Sequence, residues 1–432
     1  MTAVRTAHWG TFDAERWWRP SKLATLPAVA APRGAAAVAA MDELLAGFCA
    51  PGDLLVTRHP VARELLDGLA GCGITFEHHA VAAAAPGTDL ETVDQLITAD
   101  RAALERIGGC AVGRPYAVVP GTAALAGRLG WSDQLPPVAA VAEVNSKSWS
   151  NDLVRKLGLP GAGRMVRSVG ELADAVADYG WPAVVKDPYG VSGRDTLEIP
   201  TPGVLTAVQR TLRRQSEAGK NVELVVQPKF TVRRDFSGHV EVSRAGGVTV
   251  LGVQIMTNQG FRHAGSRPAD PAFLGFLETN GYFDVLTEVA DAVADAGYWG
   301  PVGVDSMILA DGTSIPVLEI NARRSLGLLS LSLDQQVRGS GLRCHLRQLD
   351  LAVPAGLGIG ALCAALRRDG YLYRGDSRPG VTVLSGSALS HPGGRVHCAV
   401  FCGPDGPEPL QRRVAVAAAA AGMTPRGGTD AT

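Results

Sequence analysis

The order of apolar and polar positions in the first third of the chain predicts alternating helices and strands. An alanine-rich helical stretch at residues 35–48 precedes the strand-like run DLLVTR, the helical run ARELLDGLAG and the strand-like run YAVVP at Tyr116. Short apolar runs that alternate with helices are typical of a mostly parallel sheet. We therefore expect residues 1–140 to form an N-terminal Rossmann-like α/β unit, although no GxGxxG motif follows either strand.

A second unit, residues 141–340, begins with the helical segment VAEVNSKSW. Ser168 and Glu171 form a capping box ahead of an amphipathic helix, and the segments WPAVVKDPYGVSGRD and VELVVQPKF each contain a strand. The runs RRDFSGHVEVS and GVTVLGVQIM predict an antiparallel meander. The helix FDVLTEVADAVADAG then leads into a β-hairpin around Asp311 and Gly312.

The last part of the chain, residues 350–432, predicts a third unit. It combines an Ala/Leu helix, strands at VTVLS and VHCAVFC, and the helix PLQRRVAVAAAAAG, which together indicate a small α/β domain. Three domains also agree with a length of 432 residues, because one hydrophobic core rarely organises so long a chain.

Composition narrows the class of protein. Hydrophobic residues make up 46% and charged residues 19% of the chain, which is typical of a folded globular protein. With 41 Lys and Arg against 42 Asp and Glu, no overall positive charge attracts nucleic acid or a membrane surface. The start lacks a signal sequence, no apolar run could span a bilayer, and seven cysteines lie scattered, so we expect a cytoplasmic protein with reduced thiols.

A lysine and a glycine-rich loop in the middle unit are candidates for phosphate binding. Lys186 ends a β-branched strand, and Gly190, Ser192 and Gly193 follow it. Glycines let backbone N–H groups approach phosphate oxygens closely. Each feature alone is weak, since a lysine at a strand end is usually only solvated.

Two carboxylates and an amide in the predicted hairpin are candidates for metal binding. Asp305, Glu319 and Asn321 stand among apolar residues, so a solvated hairpin edge explains them less well than a buried cation site. An odd-length loop at residues 310–313 would set Asp305 opposite Glu319, whereas a two-residue turn would shift the register. The sequence leaves the register open.

Three further residues are candidates for acid–base or charge-stabilising roles. Arg323 follows Asn321 at strand spacing and could stabilise charge on a phosphoryl group or a tetrahedral intermediate. The segment NQGFRHAGSRP is interpreted as a loop in which Arg262 clamps a carboxylate and His263 accepts a proton. A merely solvated basic loop is the equally open alternative.

Taken together, NSKSW, VVKDPYGVSGRD, VVQPKF with RRDFS, GVDSMI and LEINAR resemble the ordered motifs of the ATP-grasp superfamily, over residues 141–335. The resemblance implies an ATP-grasp fold, with a Rossmann-like pre-ATP-grasp domain before it and a small α/β domain after it. The layout is also similar to that of pheganomycin-type peptide ligases of antibiotic biosynthesis.

The resemblance also implies roles for individual residues at the nucleotide. Lys147 and Lys186 would contact the phosphates, with residues 190–194 as their cover. The segment 226–230, which contains Gln227 and Lys229, would contact adenine, and Asp235 would contact the ribose. Gln227 stands where the family often has glutamate, and Pro228 removes a backbone donor there.

By the same resemblance, Asp305, Glu319 and Asn321 would hold two Mg²⁺ ions, with Mn²⁺ as a substitute, and Arg323 would assist at the reacting carboxylate. The implied reaction activates a carboxylate with ATP as an acyl phosphate. An amine then displaces phosphate, which leaves an amide, ADP and phosphate. The expected partners are an amino-acid-like carboxylate and the amine of an amino acid or peptide, and a homodimer is expected on general grounds.

Two alternatives stay open at the level of sequence. An enzyme of the same fold could load an amino acid onto a carrier-protein thiol. A protein of a different class, a nucleotide-binding regulator without turnover, would be indicated by loss of a metal carboxylate or of the arginine. Because the chain keeps Asp305, Glu319, Asn321 and Arg323, the sequence favours a ligase.

Overall fold

The computed structural model describes residues 4–27, 34–81, 91–190, 196–387, 389 and 392–426. The described strands are β1 Thr6–Trp9, β2 Leu54–Thr57, β3 Glu77–Ala80, β4 Val112–Pro115, β5 Arg164–Val166, β6 Ala183–Lys186, β7 Thr196–Ile199, β8 Leu224–Pro228, β9 Val232–Val242, β10 Val248–Gln259, β11 Arg262–Pro268, β12 Gly300–Leu309, β13 Ser314–Asn321, β14 Arg343–Ala352, β15 Gly380–Ser385, β16 Gly393–Cys402 and β17 Thr424–Pro425.

The described α-helices are α1 Ala14–Trp18, α2 Gly34–Ala39, α3 Arg63–Gly71, α4 Val93–Ala99, α5 Arg101–Gly108, α6 Pro120–Leu129, α7 Val138–Val144, α8 Lys147–Lys156, α9 Val169–Tyr179, α10 Pro202–Glu217, α11 Pro271–Thr279, α12 Tyr282–Asp295, α13 Leu326–Val337, α14 Ile359–Arg368 and α15 Glu408–Ala420. Short 3₁₀ helices occupy Ala40–Phe48, Ser132–Gln134 and Arg338–Ser340. None of these helices is both long and apolar enough to cross a lipid bilayer.

The N-terminal unit contains a parallel sheet in the order β3-β2-β1-β4, which confirms the parallel arrangement predicted from the sequence. The strand predicted at Tyr116 lies earlier in the chain, because β4 ends at Pro115 and α6 begins at Pro120. Proline suits the first turn of a helix, where its missing N–H costs nothing. The long helix predicted at residues 35–48 is also divided, into α2 and the 3₁₀ helix Ala40–Phe48.

A four-stranded antiparallel sheet, β5-β8-β6-β7, forms the small half of the central unit. Helices α9 and α10 bury apolar faces against it, with Leu172 and Leu212 fully enclosed. The predicted N-cap of α9 is confirmed, because Ser168 Oγ accepts from Glu171 N at 3.1 Å. The Glu171 carboxylate accepts from Arg167 N at 2.7 Å, one residue before the N-cap, so the reciprocal bond of the predicted capping box is displaced. Ala24 from the N-terminal segment packs into the same core.

A nine-stranded sheet, in the order β13-β12-β9-β10-β11-β14-β16-β15 with β17 beside β14, forms the large half. The predicted meander and hairpin are both present in it as antiparallel pairs. β14 pairs with β11 on one side and with β16 on the other. The strands of the predicted C-terminal domain therefore extend the central sheet, and the division of the chain near residues 340–350 stays a prediction.

The register of the β12–β13 hairpin depends on an irregularity near Pro316. Met307 lies opposite Ile315, so a regular ladder would place Asp305 opposite Val317. The register shifts between Asp305 and Met307, and Asp305 instead faces Glu319. Pro316 has no N–H to give to the ladder, which favours a break there. The bulge thus brings the two carboxylates together, which the sequence left open.

We predict that Asp42 destabilises the fold at alkaline pH. Its side chain is 1% exposed, and burial raises its pKa to about 8 although its Oδ2 accepts from Arg58 N at 2.6 Å. A carboxyl with a raised pKa is favourable in the fold while protonated, so its contribution is lost as pH rises from about 4 to about 8. Asp42→Asn mimics the protonated acid and should raise the melting temperature more at pH 8.5 than at pH 5.

Melting curves of the wild type and of Asp42→Asn at pH 5 and pH 8.5 measure this difference in melting temperature. Asp67→Asn, on the exposed side of α3, is the matched control and should change nothing at either pH. An equal shift for Asp42→Asn at pH 5 and pH 8.5 would contradict the account.

Candidate active site

Polar side chains at every second position of three neighbouring strands line one face of the large sheet. They are Asp235, Ser237 and His239 on β9, Asp305 on β12, and Glu319 and Asn321 on β13. Alternate residues of a strand point to the same face, so this spacing collects polar groups on a single surface. The face forms the floor of a cleft of about 510 Å³, and the small sheet forms the opposite wall with Lys186 and Gln227.

The three metal candidates come together on this floor. Asp305 faces Glu319 across the hairpin, and its Oδ2 accepts from Asn321 Nδ2 at 3.1 Å. Burial and the nearby Glu319 charge raise the pKa of Asp305 to about 7. Two carboxylates and an amide oxygen form a hard donor set that suits Mg²⁺, and a cation between the carboxylates would relieve their repulsion. The residues therefore fit the metal that the resemblance implies.

Lys147 holds Glu319 in its charged form. Burial alone would raise the pKa of Glu319, but the Lys147 charge, its hydrogen bond and the Lys186 charge hold that pKa below its usual value. Lys147 Nζ donates to Glu319 Oε1 at 2.8 Å and to Gly190 O at 2.6 Å. A cation at the first position of α8 opposes the helix dipole, and this ion pair offsets that cost.

The predicted phosphate contacts fall into three cases. Lys186 lines the cleft, and its burial lowers its pKa to about 8. Lys147 is 6% exposed, its ammonium is paired with Glu319, and its contact with phosphate stays a prediction. Gly190 is described and accepts from Lys147, whereas Ser192 and Gly193 lie outside the described residues.

The residues expected at adenine and ribose all line the same cleft. Gln227 donates its amide to Gly161 O at 2.6 Å, which fixes the side chain against the loop before β5. Lys229 donates to both carboxylate oxygens of Glu198 at 2.8 Å. Asp235 accepts from Asn258 at 2.9 Å, and burial raises the pKa of Asp235. Their contacts with a nucleotide stay predictions.

Arg323 lies at the end of the cleft, and the N-terminal unit holds its guanidinium. Its Nε and one Nη donate to Glu15 Oε1 at 3.0 and 2.5 Å, and its other Nη donates to Tyr116 Oη at 3.0 Å and to Arg324 O at 3.2 Å. Of the five N–H donors of an arginine, one is then left for a ligand among the contacts of the described residues. The charge of Arg323 faces the cleft, but most of its hydrogen bonds are structural.

The segment with Arg262 and His263 is a strand, and its interpretation as a loop was wrong. Both residues start β11, which pairs with β10 across the tight turn at residues 260–261. Arg262 is not brought into the cleft, because it forms an ion pair with Asp350 on β14 at 3.0 Å. His263 does line the cleft, and burial lowers its pKa to about 4, which leaves a neutral imidazole at pH 7.

Sequence reasoning missed the residues that hold the site in place. The amide of Asn145 accepts from Ala322 N at 3.0 Å and donates to Ala322 O at 3.2 Å. Ser150 Oγ accepts from Ile320 N at 3.3 Å, so α8 and the turn before it anchor β13. These contacts join residues about 170 positions apart and have no local signature, whereas the alternation of Ser237 and His239 could have been noticed.

Comparisons with known proteins identify the fold. The chain resembles N5-carboxyaminoimidazole synthetase from Staphylococcus aureus, at 10% identity and a TM-score of 0.54 over 96% of this chain and 97% of that one. It also resembles the enzyme from Aspergillus clavatus in complex with ADP and 5-aminoimidazole ribonucleotide, at 12% identity and a TM-score of 0.52 over 86% and 99%. A Campylobacter jejuni biotin carboxylase–ATP complex matches at 12% identity and a TM-score of 0.52 over 92% and 87%.

These neighbours have the ATP-grasp fold, and the chain shares that fold over nearly its whole length. No protein-family model matches the sequence, and no curated protein matches it either. At identities of 10–12% the likeness shows the fold and not the activity.

We predict that nucleotide affinity depends on the charge of Lys186. With a pKa of about 8, this lysine is protonated at pH 7 and neutral at pH 9.5. Bound phosphates favour the ammonium form, so ADP affinity should fall as pH rises through about 8. Isothermal titration calorimetry with ADP between pH 6.5 and 9.5 measures this fall. Lys186→Arg should bind ADP with little change over that range, and an identical decline in both proteins would refute the assignment.

We also predict that Glu15 is essential for the stability of the interface between the N-terminal unit and the large sheet. Glu15 is 4% exposed and Arg323 is 9% exposed, so Glu15→Ala leaves a buried guanidinium without its counter-charge. Removing one partner of a buried pair costs about 3–5 kcal/mol of unfolding free energy. Urea unfolding measures the loss.

Asp13→Ala is the control for that variant, because Asp13 precedes α1, makes no capping hydrogen bond and approaches Arg16 only at 3.9 Å. It should change the unfolding free energy by less than about 0.5 kcal/mol. Equal losses of unfolding free energy in the two variants would show that the Glu15–Arg323 pair does not stabilise the fold more than an exposed contact does.

Proposed function

We propose that this protein is an ATP-dependent carboxylate–amine ligase. It would activate a carboxylate as an acyl phosphate and pass the acyl group to an amine, with an amino-acid-like carboxylate and the amine of an amino acid or peptide as substrates. The observation that carries the proposal is the convergence of Lys186, Asp305, Glu319 and Asn321 in one cleft between the two sheets of an ATP-grasp fold.

Each of these residues has a defined task in such a reaction. Asp305, Glu319 and Asn321 would hold Mg²⁺, which neutralises the phosphate oxygens when bound. Lys186 would place its ammonium against the phosphates, and Lys147 would keep Glu319 ionised for metal binding. The charge of Arg323 and its remaining N–H would stabilise negative charge where the carboxylate is attacked.

Part of the cleft lining is apolar, which suits the exclusion of water that the proposal requires. An acyl phosphate that meets water is lost to hydrolysis, so a ligase has to exclude solvent around it. Met256, Met307 and Leu318 provide an apolar lining next to the polar floor. His263 stands in the same cleft with a neutral imidazole, but a pKa of about 4 makes it a weak base, so its role as proton acceptor for the amine stays a prediction.

The biological role, the cellular location and the oligomeric state are proposed from the order of the domains along the chain and from general expectation. The similarity to pheganomycin-type peptide ligases suggests a role in antibiotic biosynthesis in the cytoplasm, with the chain acting as a homodimer. The alternative of loading a carrier-protein thiol uses the same nucleotide site and differs only in the nucleophile. A regulator without turnover is disfavoured by the intact set of Asp305, Glu319 and Asn321 on the cleft floor.

The experiment that tests the proposal measures ADP and phosphate release from MgATP with amino acids and short peptides, offered singly and in pairs. We expect release that needs both members of a pair, together with a product whose mass equals the two substrates minus water. Tight ATP binding without release would favour the regulator, and release that requires a carrier protein would favour thiol loading.

We predict that Glu319→Gln lowers kcat at least about 100-fold, because it removes a metal charge with little change in volume. The circular dichroism spectrum should stay near that of the wild type, which shows that the variant folds, whereas the melting temperature should fall because buried Lys147 loses its counter-charge. Asp311→Asn, at the exposed tip of the same hairpin, is the control and should keep full activity. Wild-type turnover by Glu319→Gln would remove Glu319 from the metal site.

A further inference from the structure

A second cavity of about 510 Å³ lies next to the nucleotide cleft, between the N-terminal unit and the large sheet. Tyr116 and Arg323 line both cavities, so the two spaces meet at these side chains. One face of β9 lines both cavities. His239 lines the first cavity, and Glu241, two residues and roughly 7 Å further along the strand, lines the second. A molecule in the second cavity can therefore present one end to the cleft.

Three charged side chains face this second cavity, and they lie close enough to influence one another. They are Glu241 on β9, Arg114 on β4 and Arg324 after β13. Within the described parts of the chain, none of them forms an ion pair. Burial raises the pKa of Glu241, and the charges of Arg114 and Arg324 partly offset that rise. Glu241 and Arg324 are partly buried without an ion pair to a described residue, which suits a ligand that carries charges of both signs.

Arg324 is oriented by a chain of contacts in the N-terminal unit. One of its Nη atoms donates to His8 Nδ1 at 2.9 Å, and His8 Nε2 donates to Asp53 Oδ2 at 3.1 Å. His8 is 3% exposed and burial lowers its pKa to about 4, so the ring is neutral and accepts at Nδ1. The guanidinium also stacks over Phe48, with 4.6 Å between its carbon and the ring centre. These contacts leave other N–H groups of Arg324 for the cavity.

The remaining wall is suited to a small organic molecule. Tyr298 and Trp299 precede β12, and Leu328 and Leu331 come from α13. Apolar walls with a few fixed polar groups are typical of small-molecule sites, and the volume matches an amino acid or a short peptide.

We propose that the second cavity binds the amine substrate as a zwitterion, with its ammonium at Glu241 and its carboxylate at Arg324 and Arg114. This inference rests on the proposed function and gives the acceptor a chemical class: an amino acid or short peptide with a free carboxylate. A carboxylate held by Arg324 and Arg114 lies away from Asp305 and Glu319, so it is not the one that is activated. The reacting group of this ligand is therefore its amine, after the ammonium has passed one proton to the Glu241 carboxylate and so freed the nitrogen lone pair for attack.

The test is a binding measurement that does not require turnover. Saturation-transfer difference NMR of the full chain with the common L-amino acids and a set of dipeptides, with and without MgADP, identifies binders. Calorimetry then compares the best binder with its C-terminal amide and its N-acetyl derivative. We expect each derivative to bind at least about tenfold more weakly, because each loses a charge-assisted hydrogen bond.

Variants of Arg114 and Glu241 then test which residue binds which charged group of the ligand. Arg114→Gln should weaken binding of the parent compound but leave binding of its C-terminal amide unchanged, because the amide no longer has the carboxylate that Arg114 contacts. Likewise, Glu241→Gln should weaken binding of the parent compound but leave binding of its N-acetyl derivative unchanged. Arg114 is exposed, and no side-chain hydrogen bond or ion pair joins it to another residue that the structure describes, so its variant should fold normally. Arg106→Gln, an exposed arginine elsewhere in the N-terminal unit, is the control and should bind like the wild type.

Two results would overturn the inference: binding of the amide and N-acetyl forms as tight as that of the parent, or no binder in the panel although ADP binds. Zwitterion binding that depends on Glu241 and Arg114 without any ADP binding would instead support the second cavity and overturn the proposed function. The two failures are thus distinguishable.

Discussion

Burying several charges at one point is costly unless they neutralise one another, and this constraint governs the centre of the molecule. Lys147 and Lys186 face Asp305 and Glu319 there, and the four side chains come from α8, β6, β12 and β13. The cluster therefore requires the two sheets and the helix between them to meet at a defined place. A nucleotide with its metal ions brings both signs of charge to the same place, which is why a structural necessity and a proposed binding site coincide.

The large sheet has a second organising role, because one of its faces serves two cavities. Strands β9 and β12 run from the cleft to the cavity beside the N-terminal unit, and on β9 the polar groups Asp235, Ser237, His239 and Glu241 stand at alternate positions. Arg323 stands where the cavities meet and is fixed by Glu15 and Tyr116 from the N-terminal unit. The N-terminal unit thus contributes to the site through contacts with the sheet, without a motif of its own in the sequence.

Much of the fold could be predicted because it depends on local patterns. Period-two alternation predicted the meander and the hairpin, and Ser168 as an N-cap residue predicted the start of α9. Asp305, Glu319 and Asn321 stood out because polar residues interrupt buried strands. Their juxtaposition depends on the bulge near Pro316, and a register of this kind is set by ladder geometry that the sequence shows only indirectly.

Other features could not be predicted, since they depend on contacts between distant parts of the chain. The start of β11 looked like a basic loop because of its glycines, yet pairing with β10 makes it a strand and turns Arg262 toward Asp350. The pairing of Arg323 with Glu15 spans about 300 residues, and the link from Asp53 through His8 to Arg324 joins three separate segments. Only the three-dimensional structure reveals such networks.

The central claim is that the charged cluster between the two sheets is a MgATP site. A crystal structure of the full chain with a non-hydrolysable ATP analogue and Mn²⁺, whose anomalous signal locates the ions, tests it most directly. We predict phosphates against Lys186 and metal ions coordinated by Asp305, Glu319 and Asn321. Nucleotide bound elsewhere, or metal ions without these three ligands, would contradict the account.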